Sequence, residues 1–360
     1  MRVALVAAVT HFHRETERTW RTRRFADLLA DAGHDVVVCS ARWWTGDART
    51  VEHGDVTYRG VTGHPDDRGF GASLATVLPR IGPDVVHAVH DVPRHVLGAA
   101  AGARLARAPL VVDWYDCDPA PTNPGGLAGL SVAAGERLRE RAARSPDLVV
   151  TPSRTVQTRV RELGADGDQM AVVPNPIDLD AIRDAPVGDG GDVVYSRHLD
   201  ADANLESLLL ALAEYRERGW SATVVGDGPA REAYEEQARD LRIDDRITFT
   251  GALPVAERIP LFKGAHAYVH TARRTPFATD LCRALACGCV GVVEYHEDSS
   301  AHELVEQRQR GFLATGDEEL VDHIAAAADL PRMDVDESFA EYDGPAVIED
   351  LLECYRRAAR

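Results

Sequence analysis

Lysine is almost absent from this chain: Lys263 is the only one among 40 basic residues, against 58 acidic ones. The net charge of −18 excludes non-specific attraction to nucleic acid. The six cysteines (Cys39, Cys117, Cys282, Cys287, Cys289 and Cys354) form no C-x-x-C pair, which argues against a zinc site or a disulfide framework. Several sit in apolar runs, as buried thiols do. No apolar run approaches the ~20 residues that would cross a bilayer. The start, "MRVALVAAVTHFHRE", lacks the basic opening and cleavage site of a signal peptide, so it reads as a first buried strand of a cytoplasmic protein. Thr10, His11, Phe12 and His13 follow that strand where a dinucleotide fold would place G-x-G-x-x-G, which excludes a dehydrogenase of that type. No Walker loop occurs, which excludes a P-loop NTPase.

What is present is strand and helix in alternation, twice over. Apolar, β-rich runs at 2–9, 34–41, 83–89, 108–114, 146–152 and 170–175 are separated by helical stretches such as "VLGAAAGARLAR" and "GERLRERAARS". Residues 174–192, rich in Pro, Gly and Asp, read as a linker. Runs at 192–196, 221–228, 246–251, 265–271 and 289–295 then restart the pattern, with helices such as 204–219 between them. Residues 331–343 read as a loose acidic stretch, and 342–360 as a closing helix. Continuous apolar strands joined by helices imply parallel sheets covered on both faces. The expected architecture is α/β, with two doubly wound domains, and a ligand cleft between them beyond the carboxyl ends of the strands. Domain bounds are set at 1–173 and 174–340. The helix of 341–360 is expected to pack back toward the first domain.

The second half carries an ordered series: "VVPNPID" (172–178), "YSRHLDADANLESLLLALAE" (195–214), "SATVVGDGPAREAYEEQARDL" (221–241), "ITFTGAL" (247–253) and "AHAYVHTARRTPFATDLCRALACGCVGVV" (265–293). In order and spacing it resembles the family 4 glycosyltransferases, retaining enzymes of the GT-B fold, over most of residues 1–330. The lysine-poor acidic composition further resembles that of salt-loving archaea, where salt screens self-repulsion. Arginine codons of a GC-rich genome are the alternative. The resemblance implies transfer of a sugar from a nucleotide diphosphate donor on the second domain to a glycan or lipid-linked acceptor at the first, without a bound metal or other cofactor. Asn175 of the Pro174–Asn175 turn marks the crossing between domains. Ser196 and Arg197 follow the first strand of the second domain, and Arg197 matches the arginine that neutralises the diphosphate. Its fork suits phosphate oxygens, while an ion pair with Asp200 or Asp202 is the plainer reading. Gly226 and Gly228 belong either to the donor site or simply to a tight strand-to-helix turn.

Several positions depart from the family pattern. Thr275 and Arg283 stand where the family carries two glutamates for the donor sugar and the ribose, and Ala203 lies near the place of an expected lysine. Tyr115 is nearest to a displaced histidine. These gaps leave two alternatives: a nucleotide-sugar-binding subunit without turnover, and a sugar-nucleotide epimerase of similar fold. A helix beginning near Phe277 would point the amides of Phe277, Ala278 and Thr279 at a diphosphate, with Pro276 at its start. Asp280 on that helix is read either as the carboxylate for a ribose or sugar hydroxyl, or as an ion pair with Arg283.

His90, beside Asp91, is expected at the cleft assisting the acceptor, and His87 in the core. His11 and His13 are read as exposed loop residues or acceptor contacts. Asp113, Asp116 and Asp118 match a metal site by spacing alone, and no metal is expected. Arg14, Arg18 and Arg21 recur beside Trp20 as a solvated helix face, or as a patch for an anionic acceptor or the inner face of a membrane.

Overall fold

The computed structural model describes residues 1–115, 126–215 and 219–360. The chain divides into two compact units, the first comprising Met1–Pro176 with Gly344–Arg360 and the second Ile177–Asp343. Asp116, Cys117 and Asp118 lie outside the described residues, as do 216–218 at the end of the expected 204–219 helix.

The first unit runs β1 (Arg2–Val6), α1 (Glu17–Asp31), β2 (Asp35–Ala41), β3 (Thr50–His53), β4 (Val56–Thr62), α2 (Phe70–Ile81) and β5 (Val85–Val89). It continues with α3 (Pro93–Ala106), β6 (Leu110–Asp113), α4 (Gly126–Ala143), β7 (Leu148–Thr151), α5 (Arg154–Glu162) and β8 (Met170–Val172). Among the described residues its sheet has the order β3-β4-β2-β1-β5-β6-β7-β8, parallel except for the β3–β4 hairpin. The central strands are rich in Val and Leu and buried apart from Arg2 at the start of β1, because helices cover both faces.

The second unit runs α6 (Leu179–Asp184), β9 (Val193–Ser196), α7 (Leu205–Glu214), β10 (Ala222–Val225), α8 (Arg231–Asp240), β11 (Ile247–Gly251), α9 (Val255–Gly264) and β12 (Ala267–His270). Then follow β13 (Arg274–Thr275), α10 (Thr279–Ala286), β14 (Val290–Glu294), β15 (Asp298–Ser299), α11 (His302–Val305), β16 (Gly311–Ala314) and α12 (Asp317–Ala328). The main sheet, β11-β10-β9-β12-β14-β16, is wholly parallel. Strand order reverses around β1 in the first unit and around β9 in the second. The loops after these two strands therefore sit where doubly wound sheets take ligands.

The expected doubly wound α/β architecture is thus present in both units. The supposed linker is partly helical: Asp178 caps α6 through its bond from the Ala181 N–H at 2.9 Å, and Leu179 and Ile182 are buried. The acidic stretch near the C-terminus is not loose, since Phe339 is buried and the Asp336 N–H donates to Ala286 O at 2.9 Å. The last helix, α13 (Gly344–Ala358), buries Val347, Leu351 and Tyr355 in the core of the first unit. The Tyr355 hydroxyl lies 2.7 Å from His87 Nδ1.

The α1 stripe is not a basic face. Arg21 is buried and forms a two-pronged pair with Asp113, Nε at 2.8 Å and Nη2 at 3.2 Å. Its remaining hydrogen bonds go to Asn175 Oδ1 at 2.9 Å and Val173 O at 2.8 Å. Arg18 pairs with Asp91 at 3.2 Å. Asp113 is therefore a structural counter-ion, which removes it from the D-x-D reading.

Candidate active site

β9 is short and wholly buried, and it delivers Ser196 and Arg197 to the carboxyl edge of the second unit's sheet. Tyr268 on β12 donates to Ser196 O at 2.7 Å, fixing the strand end. Arg197 Nη1 donates to Thr275 Oγ1 at 2.8 Å, and His270 Nε2 lies 3.1 Å from the same hydroxyl. Among the described residues neither Asp200 nor Asp202 pairs with Arg197, so the ion-pair reading fails. The Arg197 Nε is buried and has no partner. An orphaned buried guanidinium N–H is costly to leave and marks a place where a ligand oxygen would complete the arrangement. His270 is fully buried, and burial, reinforced by the charges of Arg197 and His296, pulls its pKa down to about 3. It is a neutral ring beside a fixed cation.

Gly226 and Gly228 form the turn after β10, with φ of 145° and 158°. A Cβ on Gly226 would fall 1.8 Å from Arg197 O, and one on Gly228 would fall 2.3 Å from Leu199 O. These glycines let the Arg197 segment lie against the turn, with Arg197 N–H donating to Val225 O at 3.0 Å and Leu199 N–H to Asp227 O at 3.0 Å. Their demonstrable role is to seat the arginine.

The loop before α10 is anchored by the β13–β15 pairing and by Ser300 Oγ, which donates to Pro276 O at 2.8 Å. The helix begins at Thr279, not at Phe277, and Pro276 lies outside it. The Thr279 N–H donates to Phe277 O at 3.0 Å, so it does not point outward as the expected amide ring required. Phe277 and Ala278 are buried in the apolar core beneath.

Asp280 is likewise not available to a hydroxyl. Its carboxylate accepts from Ser196 Oγ at 2.7 Å, from Arg283 Nη1 at 2.7 Å and from Arg258 Nη1. Burial alone would raise its pKa, but the charges of Arg258 and Arg283 and the Ser196 bond outweigh it and hold the carboxyl below its usual range. The pair with Arg283 exists, and it is largely buried rather than on the surface, since Asp280 is 12% exposed. Arg258, on α9, is a member of this cluster that sequence reading missed. It stands 22 residues from Asp280 in the chain, and no local pattern marks it.

The remaining candidates belong to the first unit. Asn175 is committed to Arg21 and to the Tyr115 hydroxyl at 3.1 Å, within that unit's buried network. His90 is not a poised base. Its ring stacks on Trp114 at 3.6 Å and 7°, and burial, with the Arg139 and Arg18 charges adding, lowers its pKa to about 3. His11 is buried rather than exposed, with a pKa pulled to about 4 mainly by burial. His13 is partly buried, and its Nδ1 accepts from the Thr10 N–H at 3.1 Å. Around His11, Phe12 stacks on Trp43 at 3.8 Å.

Comparison with known proteins agrees with this layout. The family model described as Glycosyltransferase Family 4 matches residues 19–181, and the one described as Glycosyl transferases group 1 matches residues 183–342. A glycogen synthase of Mycobacterium tuberculosis is 26% identical over 292 residues, spanning 72% of this chain and 70% of that protein. A GDP-mannose-dependent alpha-(1-6)-phosphatidylinositol monomannoside mannosyltransferase of the same organism is 25% identical over 254 residues, spanning 64% of this chain and 62% of that one. HepE of Anabaena, solved in complex with UDP, superposes with a TM-score of 0.74 at 19% identity, over 98% of this chain and 99% of that one. At that identity the likeness establishes the fold.

Proposed function

From the premise that the chain belongs to the family 4 glycosyltransferases of GT-B fold, we propose that its second unit holds a sugar donor by the diphosphate, on Arg197. The observation that carries this is the Arg197 side chain itself. It lies at the switch point of the sheet, held by one neutral hydroxyl and with its Nε lacking a partner. A fixed guanidinium stabilises the charge that grows on the departing phosphate. The bond from the anomeric carbon to the β-phosphate oxygen breaks, and a bond to the acceptor oxygen forms on the same face, with retention. The acceptor's proton passes to the leaving phosphate oxygen, so no protein base and no metal is invoked. Asp280 acts by position: it holds Ser196, next to Arg197, together with Arg258 and Arg283. The N-terminal end of α10 adds its dipole. The first unit takes the acceptor, a glycan or a lipid-linked glycan, as the names of the two mycobacterial relatives suggest.

One observation favours a second reading. Asp280 is fully engaged, and Thr275 and Arg283 are not acidic, so this helix offers no uncommitted carboxylate to a donor sugar. A subunit that binds nucleotide sugar without turnover fits that too. An epimerase would instead convert donor with no acceptor present.

Thermal shift with UDP-, GDP-, ADP- and dTDP-sugars at molar salt, followed by donor consumption with and without oligosaccharide and lipid-linked acceptors, separates these readings. One donor should raise the melting temperature. Arg197→Ala should abolish that shift and lower turnover by about 10²–10³-fold. Absence of any nucleotide-dependent shift in the unaltered protein, or an Arg197→Ala variant that turns over normally, would refute the proposal.

A further inference from the structure

Since α1 presents no basic face, uncommitted positive charge on the first unit must be sought elsewhere. It gathers between α3 and α4, around a surface cavity of about 780 Å³. Arg104, Arg137, Arg141 and Arg144 line it, with Glu140 as the one acidic residue. In a chain with 58 acidic and 40 basic residues this is a local reversal of sign. Arg144 is engaged, by Glu140 at 3.6 Å and Gly164 O at 3.2 Å. The side chains of Arg104, Arg137 and Arg141 are exposed and have no hydrogen-bond or ion-pair partner among the described residues. The same groove is apolar between its charges. Leu97 and Leu138 line it, Leu138 is 40% exposed, and Leu105, next to Arg104, is 64% exposed.

We propose that this face docks the first unit on a membrane surface bearing anionic lipids. Phosphate headgroups would meet the three uncommitted guanidinia, and Leu105 and Leu138 would enter the acyl boundary. Each half of the chemistry narrows the partner. A free small anion leaves the exposed leucines without a role, and a neutral glycan leaves the arginines without one. A nucleic acid would face the repulsion of the remaining surface. Headgroup charge and acyl chain together account for both. The two contributions separate with salt. Guanidinium attraction fades as the screening length falls to about 3 Å at molar salt, whereas the leucine contribution persists.

Flotation of the full chain with phosphatidylglycerol-containing vesicles, pure phosphatidylcholine vesicles, and phosphatidylglycerol vesicles plus millimolar inorganic phosphate tests this. The unaltered protein should float far more strongly with the anionic vesicles than with the neutral ones, where only the leucine contribution remains, and phosphate should not displace it. The triple variant Arg104→Gln/Arg137→Gln/Arg141→Gln should lose about a hundred-fold in partitioning at low salt, at about five-fold per arginine. Leu105→Ser/Leu138→Ser should remove the part that survives molar salt. All five positions are exposed or partly so, and circular dichroism would verify that the variants fold; the single Arg137→Gln variant, expected to lose about five-fold, serves if the triple does not. No flotation by the unaltered protein, equal flotation on neutral vesicles, displacement by inorganic phosphate, or arginine variants that float unchanged would each overturn the proposal.

Discussion

Arg21 and Arg197 make an instructive pair. Each follows the strand at which its unit's sheet reverses order, and each sends a guanidinium inward. Every nitrogen of Arg21 is engaged, by a carboxylate, an amide and a carbonyl, and its side chain is 0% exposed. Arg197 has one hydroxyl and an orphaned Nε. The same residue type is thus engaged at every nitrogen in the first unit and left with an unpartnered Nε in the second. Partner count separates the two roles; burial and residue type alone do not. The surroundings follow suit. The first unit's strand ends carry buried neutral histidines and stacked aromatics, and the second's carry one carboxylate, Asp280, held by two arginines, Arg258 and Arg283.

The widest break in this comparison is expected with acid. His87, His90, His95 and His11 of the first unit have pKa values pulled down to about 4, 3, 4 and 4, chiefly by burial, from an ordinary value of 6.5. In the second unit the counterpart is His270, at about 3. Each ring is neutral when folded and charged when unfolded across that window. The unfolded chain therefore binds more protons, and stability falls as pH drops from about 6.5 toward 4. For the buried His87 and His90 the loss is roughly 2 kcal/mol each by pH 5. Hydrogen exchange between pH 7.5 and 5 should show the first unit losing protection before the second. Simultaneous loss, or greater lability in the second unit, would remove the contrast.

Arg21→Met comes next in size. It leaves Asp113 buried without its counter-ion and should cost about 3–5 kcal/mol by denaturant unfolding. Adding Asp113→Leu should restore most of that, because an apolar pair of similar volume replaces the ions. A variant Arg21→Met as stable as the parent would show that Asp113 is served by other groups, His87 at 3.9 Å being the nearest candidate.

How much of this could be read from sequence follows the range of the interactions. The central strands were legible because a strand buried on both faces must be an unbroken β-branched run. The β3–β4 hairpin was not, since β3 is mostly exposed and carries no apolar signature. The position of Arg197 just after β9 was legible, because the apolar run before it reads as a buried strand. The start of α10 was misjudged because Pro276 signals a helix locally, while the β13–β15 pairing that holds it in a loop is 24 residues long in sequence span. His90 and Asp280 were placed correctly on their elements; the reading of His90 as an acceptor-side base fails, and of the two readings of Asp280 the ion pair with Arg283 is the one present. What disqualified them, Trp114 in one case and Arg258 in the other, arrives from other elements.

The smallest expected effect is the most telling about Arg197. In Arg21 every nitrogen has a partner, so removal exposes a deficit. Around Arg197 removal takes away a buried N–H that has none, and a methionine would keep much of the aliphatic packing. Arg197→Met should therefore change unfolding free energy by no more than about 0.5 kcal/mol, or raise it, while donor binding is lost. Such a trade between stability and function is what a residue kept for a ligand produces. A loss of several kcal/mol, comparable to that at Arg21, would mean that Arg197 supports the fold in the same way. The contrast between the two arginines would then be one of geometry alone, with no bearing on where the donor sits.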